Sequence, residues 1–569
     1  MSEKEKTMAV PLPEYPRMQL QRDSFINLNG IWQYQITDGR APEEEDWKEI
    51  LVPYPLGSEL SGSKEELHPH EVLWYRRRFT FEQSRKHVLL NFEAVDQCCT
   101  VYLNDKKIGE HAGGYTPFAY DVTKYIKYNN ELVVIVTDDT DRGLYAYGKQ
   151  KLEHSGMWYT PTAGIWQTVW IEEVGDKAVT DLKITPDCDH SCVYLDMAGT
   201  YEQAIINVFA DGVLVHRGIT VEHSYTVQLD SVRYWSPEDP FLYDLYIETG
   251  EETVKSYFGM RKFSAGTDKY NVRRFMLNGR PLFLSGLLDQ GYTWEGLVTY
   301  PDEAMMVKEL EAVKDMGFNM LRKHAKTECR RWYWLCDRMG ILVMQDIPNG
   351  GGPYSFMSTG ILPNLGRIRT KDNDYKAAGR ETKESRDAYY YEVDEILNAL
   401  YNCVSIFAWV AFNEGWGQFD SAAATEYIKR YDTTRLVDSA SGWFDQGAGD
   451  FLSRHCYFLP FKVPQEDGRI ILLSEFGGYS FLEKGHSKVD KLYGYRKYKD
   501  KGKLNKAISD LYNRMVFENI PKGLSGCIYT QVSDVEDECN GLFTFDRKVL
   551  KVDRRMMKKI NDRLIRRVK

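Results

Sequence analysis

Two glutamates stand at the ends of apolar, strand-like runs. Val404-Ser405-Ile406-Phe407-Ala408-Trp409-Val410 continues into Ala411-Phe412-Asn413-Glu414-Gly415-Trp416, and Ile470-Ile471-Leu472-Leu473 continues into Ser474-Glu475-Phe476-Gly477. Two carboxyl groups brought to one site can divide the work of cleaving a glycosidic bond. One protonates the leaving oxygen, and the other attacks the anomeric carbon or activates water. Either glutamate alone reads equally well as a cap or a salt-bridge partner; their matched placement is what points to catalysis. A metal-dependent hydrolase fits worse. His324, His455 and His486 show neither His-x-His nor His-x₃-His spacing, so no metal and no cofactor is expected.

Matched placement requires a fold in which strand ends converge. After Phe263 the sequence alternates apolar strands with helical patterns. Asp302 caps a helix with Met306, Leu310 and Val313 on one face, Gly317 stops it, and a second helix over 328–338 leads through Gly340 to Ile341–Met344. Eight candidate strands follow this rhythm: 281–286, 318–322, 341–344, 404–410, 436–439, 455–457, 470–473 and 526–531. Eight is the closing number of a (β/α)8 TIM barrel, whose active site lies at the carboxyl ends of the strands. Asp289, Asp346 and Trp443 fall on the predicted barrel-mouth loops, where each can hold sugar hydroxyls or buttress a loop.

Before the barrel the chain is all β. Residues 1–175 hold short β-branched runs divided by Asn104-Asp105, Gly113-Gly114 and Asn129-Asn130. Residues 176–265 continue with strands at 193–197, 204–210, 224–229 and 243–249, the size of one immunoglobulin-like β-sandwich. The barrel takes 266–569, so the 569 residues divide into three domains.

Composition removes other classes. A formal charge of −10 offers no footprint for a nucleic-acid backbone, and no apolar run reaches membrane-spanning length. Glu3, Lys4, Glu5 and Lys6 occupy the stretch where a signal peptide would be apolar. The ten cysteines form no CxxC pair and read as free thiols in a reducing compartment, so a cytoplasmic location is expected. The basic run from Arg547 to Lys569 spaces Met556, Met557, Ile560 and Leu564 as one face of a closing helix.

Asn413-Glu414 after the fourth strand, Ser474-Glu475-Phe476-Gly477 after the seventh, and the sandwich-sandwich-barrel order resemble family-2 glycoside hydrolases, the β-galactosidases, β-glucuronidases and β-mannosidases. Further matches are Trp74-Tyr75-Arg76-Arg77-Arg78-Phe79, Gly164-Ile165-Trp166-Gln167, Phe258-Gly259-Met260-Arg261 and Asn278-Gly279-Arg280-Pro281. The resemblance implies a jelly-roll, sugar-binding-like first domain and a barrel that retains anomeric configuration. On that pattern Glu414 matches the acid/base, Glu475 the nucleophile, and Asn413 the asparagine that bonds the sugar 2-hydroxyl. Tyr457 matches the tyrosine that bonds the nucleophile, while Arg322 and His324 resemble an Arg-x-x-His with one residue fewer. Trp409, Phe412 and Trp416 are the residues expected to desolvate Glu414.

The implied activity is exo-acting hydrolysis of terminal β-linked sugars from an oligosaccharide or glycoside. Glucuronidases of this family carry Asn-x-Lys before a Gly-Leu-Phe-Thr-x-Asp-Arg stretch. Here Gly541-Leu542-Phe543-Thr544-Phe545-Asp546-Arg547 is present, but Glu538-Cys539-Asn540 precedes it and Asp534, Glu536 and Asp537 lie near. Acidic and neutral groups in place of that cation remove the charge-assisted hydrogen bonds a uronate needs, and the acids would repel it, so a neutral sugar is expected. The resemblance, in a family that commonly uses galactose, implies a β-galactosidase, with a β-glucuronidase or another family-2 β-glycosidase as the alternative. A degenerate carbohydrate-binding protein is the non-enzyme alternative, against which both glutamates count. A homo-oligomer joined through the first domain is expected by family analogy alone.

Overall fold

The computed structural model describes residues 9–355, 357, 362, 371–465, 467–489 and 493–568. Residues Glu3 to Lys6 and Lys569 lie outside them. The barrel strands are β1 (Leu284–Asp289), β2 (Met320–Lys323), β3 (Leu342–Asp346), β4 (Ile406–Val410), β5 (Leu436–Asp438), β6 (Phe451–Cys456), β7 (Ile470–Gly477) and β8 (Leu524–Thr530). They form one parallel sheet in the order β5-β4-β3-β2-β1-β8-β7-β6. The two ends meet through side chains: Ser453 Oγ donates to Asp438 Oδ2 at 2.5 Å, and Val437 N donates to Asp450 Oδ2 at 2.8 Å.

Alternation along the strands sorts the core into two shells. Leu288, Met320, Met344, Ala408, Val410, Leu472 and Ile528 fill the barrel, while Leu321, Val343, Trp409, Val437, Ile471 and Leu473 face the helices. Helix α1 (Glu303–Asp315) begins where Asp302 accepts Met305 N–H at 2.7 Å. Helix α2 (Arg330–Met339) stops at Gly340, whose φ of +71° suits glycine. The closing helix, α6 if numbered after α3 (Lys383–Leu400), α4 (Ser421–Tyr431) and α5 (Lys501–Tyr512), spans Arg554–Val568 and buries Met557, Ile560 and Leu564. It is shorter than the basic run: Arg547 is buried instead in an ion pair with Glu309 at 2.9 Å.

The first domain packs a four-stranded sheet on a six-stranded one around Trp32, Tyr75, Val88, Phe92 and Val134. The second packs three strands on four, with Val193, Leu195, Ile206, Val208, Leu245 and Val254 between them.

A segment of the first domain reaches across the barrel mouth. Tyr147 N and Gly148 N donate to Asn349 O at 3.1 and 3.0 Å, and Thr327 Oγ1 donates to Tyr115 O at 2.8 Å. Gly148 has φ +59°, and a Cβ there would sit 2.3 Å from Ala325 O, so a side chain at this position would push the segment off the barrel.

Buried carboxyls lie along the same seam. Glu392 on α3 accepts Ala146 N–H at 3.0 Å, and Asp96 accepts Gln150 Nε2 at 2.9 Å. Burial raises both, Glu392 to about 8. The native protein therefore holds protons that the unfolded chain releases. Their contribution to stability is full below the ordinary carboxylate range, near about 4, and is lost as pH climbs toward the folded value. Glu392→Gln keeps an acceptor for Ala146 and removes the titration. By scanning calorimetry its apparent melting temperature should exceed the wild type by a few degrees at pH 8 and match it at pH 5. An equal offset at both pH values would contradict the titration.

Candidate active site

Both glutamates reach the mouth through irregular backbone. Beyond β4 the chain is pinned to the end of β5, with Ser441 N donating to Phe412 O at 2.8 Å and Glu414 N donating to Ser441 O at 2.9 Å. Glu414 itself lies in the left-handed region, φ +54°. That conformation costs about 1–2 kcal/mol for a residue with a side chain, so it persists because these bonds hold it. Glu475 lies inside β7, not after it. The ladder to β8 shifts register between Leu473 and Phe476, a bulge that re-aims side chains beside a site.

The two carboxylates flank His455. Its Nδ1 lies 2.8 Å from Glu414 Oε1, and its Nε2 lies 3.4 Å from Glu475 Oε1 and 3.1 Å from Ser441 Oγ. One oxygen of each glutamate and a ring nitrogen of His455 all fall within 4.8 Å of one another. Glu475 Oε1 accepts Arg322 Nη1 at 3.1 Å, and the Tyr457 hydroxyl donates to Oε2. Arg322 is fully buried. Its Nε and Nη2 fork onto Asp346 at 2.9 and 2.8 Å, and Nη2 also donates to Asn413 Oδ1 at 2.8 Å. One guanidinium thus joins β2, β3, β4 and β7.

Burial raises the pKa of Glu414, opposed by the charges of Lys149 and Arg322. His455 is pushed down to about 3, because burial outweighs the attraction of Glu475 and Arg322 and Lys149 add repulsion. It is therefore neutral near pH 7 and carries one N–H. Arg322 Nη1 faces Nε2 at 3.5 Å, which favours the proton on Nδ1, directed at ionised Glu414. Burial also raises Asp346, to about 6. Among the described residues, Glu414, His455 and Glu475 are the one cluster with metal-ligand spacing. A cation there would have to displace the hydrogen bonds above and sit against the charge of Arg322.

Arg322, Asp346, Asn413, Glu414, Tyr457 and Glu475 thus form one network. Trp443 adjoins it, with its indole N–H on Glu414 O at 2.8 Å and its ring 5.5 Å from that of His455. Tyr457 stacks on Tyr495 at 3.9 Å. His324 shares the mouth, Nδ1 on Gln290 at 2.9 Å, with Nε2 buried and unbonded 3.8 Å from Asp346.

Three expectations need correction. Asp289 is not on a loop: it ends β1, buried, its carboxylate 2.6 Å from Lys323 Nζ. Asp346 likewise ends β3 rather than lying on a loop. Of the three aromatics expected to dry Glu414, Trp409 turns outward to donate to Asp432 at 2.9 Å and Phe412 stacks on Tyr389 at 5.0 Å. Trp416 alone is at the mouth, against Tyr147 and Trp158 of the first domain.

His455 was missed as a site residue. The signal available was its place two residues before Tyr457, on the same strand face. Lys149 was missed because it arrives from another domain.

Three family models match the chain. Residues 62–167 match the glycosyl hydrolase 2 galactose-binding domain-like model, 179–261 the glycosyl hydrolases family 2 model, and 270–464 the family 2 TIM barrel domain. The chain belongs to glycoside hydrolase family 2. Among family-2 relatives, a β-galactosidase of Thermoanaerobacter pseudethanolicus is 27% identical over 415 residues, 66% of this chain and 54% of that protein. A putative β-glucuronidase of Formosa agariphila is 25% identical over 458 residues, 73% of this chain and 40% of that protein. The chain spans about half the length of these curated relatives. A solved β-glucuronidase from Ruminococcus gnavus superposes with a TM-score of 0.76, covering 98% of this chain and 99% of that one at 16% identity. A family-2 β-galacturonidase from Eisenbergiella tayi, bound to galacturonate, superposes at 0.72, covering 96% and 98% at 18% identity. At such identities these structures speak for the fold alone. Among the described residues no helix is long and apolar enough to cross a membrane.

Proposed function

We propose that this family-2 chain is a retaining, exo-acting β-glycosidase in which Glu414 is the acid/base and Glu475 the nucleophile. The observation that carries this reading is the pair itself: two carboxylates with oxygens within 4.8 Å across His455, one raised by burial and one held by Arg322 and Tyr457. Retaining sites keep their carboxyls about 5–5.5 Å apart, whereas inverting sites leave room for water at about 6.5–9.5 Å.

In the first step a Glu475 oxygen attacks C1, the C1–O bond to the aglycone breaks, and the Glu414 proton passes to the departing oxygen. In the second, ionised Glu414 takes a proton from water, the water oxygen attacks C1, and the ester to Glu475 breaks. Arg322 and Tyr457 keep Glu475 oriented. Asn413 gives its Oδ1 to Arg322, which leaves its amide N–H groups for a sugar hydroxyl, and His324 Nε2 offers a second contact.

Activity then needs Glu475 ionised and Glu414 protonated, so kcat/KM should be bell-shaped in pH, with the basic limb above the ordinary carboxylate range. His455→Phe removes the donor to Glu414. That bond is stronger to the carboxylate than to the acid, so its loss should move the basic limb upward and lower kcat/KM about 10- to 100-fold. A pH profile with an unmoved limb would make His455 a space-filler.

For the sugar, the expectation of a neutral substrate rested on the missing cation before Gly541 and on the acidic residues of 534–538. Three of those groups are spent elsewhere: Asp534 on Lys551 at 2.5 Å, Asp537 on Gly156 N at 2.9 Å, and Glu536 on Thr160 N at 3.1 Å. A β-galactoside remains one reading. A β-hexuronide is the other, and the observation favouring it is the unpaired Lys149. Nitrophenyl β-galactoside, glucuronide, galacturonide and mannoside at pH 5 to 8, with proton NMR of the first sugar released, test the proposal. At least one should be cleaved with the β-anomer appearing first; an α-anomer would mean inversion.

A further inference from the structure

Four lysines are buried among the described residues. Three have a carboxylate in close contact: Lys323 with Asp289 at 2.6 Å, Lys326 with Glu328 at 2.9 Å, and Lys551 with Asp534 at 2.5 Å. That is the rule for buried ammonium groups, since an unpaired charge away from water is costly. Lys149 is the exception. It is only 7% exposed, yet among the described residues no carboxylate comes within 4.0 Å of its Nζ and no hydrogen bond is made to it. Its neighbours are ring faces, Trp158 at 4.9 Å and Tyr159 at 5.9 Å.

The surroundings place this cation at the mouth of the site. Lys149 follows Gly148, which packs on Ala325 beside His324. Trp158 meets Trp416, two residues after Glu414, at 5.5 Å. The Tyr159 backbone N–H donates to Lys149 O at 2.9 Å, and its hydroxyl donates to Glu538 at 2.5 Å. Glu538, the nearby acid, also takes Asn540 at 3.3 Å and Gln531 at 3.5 Å. The positive charge is felt by Glu414, His324, His455 and Glu538, which come from the segments after β2, β4 and β8 and from β6.

We propose that Lys149, carried by the first domain, is a specificity-determining residue that binds a carboxylate on the sugar being cleaved, so that the preferred substrates are β-linked hexuronides. The inference rests on the glycosidase reading above. A substrate carboxylate supplies the close counterion that Lys149 lacks, so binding adds an ion pair at a largely buried side chain. The indole of Trp158 and the ring of Tyr159 hold the ammonium in place through cation–π contact. The first domain then sets substrate choice, while the barrel carries the bond cleavage.

The test compares kcat/KM on nitrophenyl β-glucuronide and β-galacturonide with the matching glucoside and galactoside, in wild type, Lys149→Met and Lys149→Arg. Wild type should prefer a uronide to its neutral counterpart. Lys149→Met should lower that ratio about 10- to 100-fold, the scale of losing a charge-assisted contact, and Lys149→Arg should keep most of it. The glucuronide and galacturonide arms tell which C4 configuration is accepted. Circular dichroism of both variants guards against misfolding, and Lys149→Gln, which also removes the charge, takes the place of the methionine variant if that one unfolds. A wild type that cleaves only neutral glycosides overturns the role of Lys149 and leaves the glycosidase reading standing. A Lys149→Met that shifts the pH profile on every substrate with the ratio unmoved would make the lysine an electrostatic support for Glu414 and also overturn it. Cleavage of none of the four would overturn the role of Lys149, and failure on the mannoside as well would overturn the glycosidase reading.

Discussion

Glu475→Gln is expected to lower kcat/KM on every glycoside by on the order of 10⁴-fold or more, without unfolding the protein. In the proposed mechanism the bond to C1 is made by this carboxylate, and an amide is a far poorer nucleophile whatever the leaving group. Geometry gives the variant little reason to unfold. The one carbonyl oxygen of a glutamine can still accept from Arg322 while its amide N–H donates to the Tyr457 oxygen, and the side chain keeps its volume inside β7. Removing a carboxylate beside a buried guanidinium does cost an ion pair, so a modest fall in melting temperature is expected, with Asp346 remaining as the partner of Arg322. Stopped assays with a dinitrophenyl and a methyl glycoside should show the same loss. Retained activity on the activated substrate would mean that Glu475 is not the nucleophile.

Glu414→Gln should behave differently. A group that only transfers protons can be bypassed when the leaving group is a weak base, so loss should be about 10²- to 10⁴-fold on a poor leaving group and small in the glycosylation of a dinitrophenyl glycoside. The intermediate then waits for a base that is gone. Azide needs none, so added azide should restore turnover and yield a β-glycosyl azide. A variant equally impaired on all leaving groups and indifferent to azide would make Glu414 a structural residue. His455 sharpens this prediction, because its neutral ring can bond to the glutamine and keep the surrounding side chains in place.

What was legible in the sequence follows from how each feature is encoded. Most barrel strands are continuous apolar runs and could be placed, and Ala204–Ala210 in the second sandwich agrees residue for residue. The sixth was expected at 455–457 and is Phe451–Cys456, because Ser453 and Arg454 interrupt its apolar run. Their ends were harder. β1 runs to Asp289 and β7 through Glu475, because polar residues facing a barrel mouth end an apolar run before the ladder itself ends. Side-chain direction was harder again. Trp409 and Phe412 are near Glu414 in sequence but belong to the outer core, while Trp416 reaches the mouth. Arg322 stood at the end of a strand, yet its fork onto Asp346, Asn413 and Glu475 depends on three strands distant in sequence. Lys149 was hidden more completely. Nothing local marks it, and its meaning comes from packing a segment of the first domain over the barrel, with Asn349 and Ala325 as contacts.

The central claim is that Glu475 becomes covalently bound to the sugar, and trapping that bond tests it most directly. A dinitrophenyl 2-fluoro glycoside of the sugar preferred in the substrate panel should inactivate the wild-type protein in a time-dependent way. Fluorine slows both steps by destabilising the oxocarbenium-like transition state, but the activated leaving group lets ester formation outrun its hydrolysis. Peptide mapping by mass spectrometry should find one fluorosugar on the peptide containing Ser474-Glu475-Phe476. Label on Glu414, Asp346 or any other carboxylate would contradict the account.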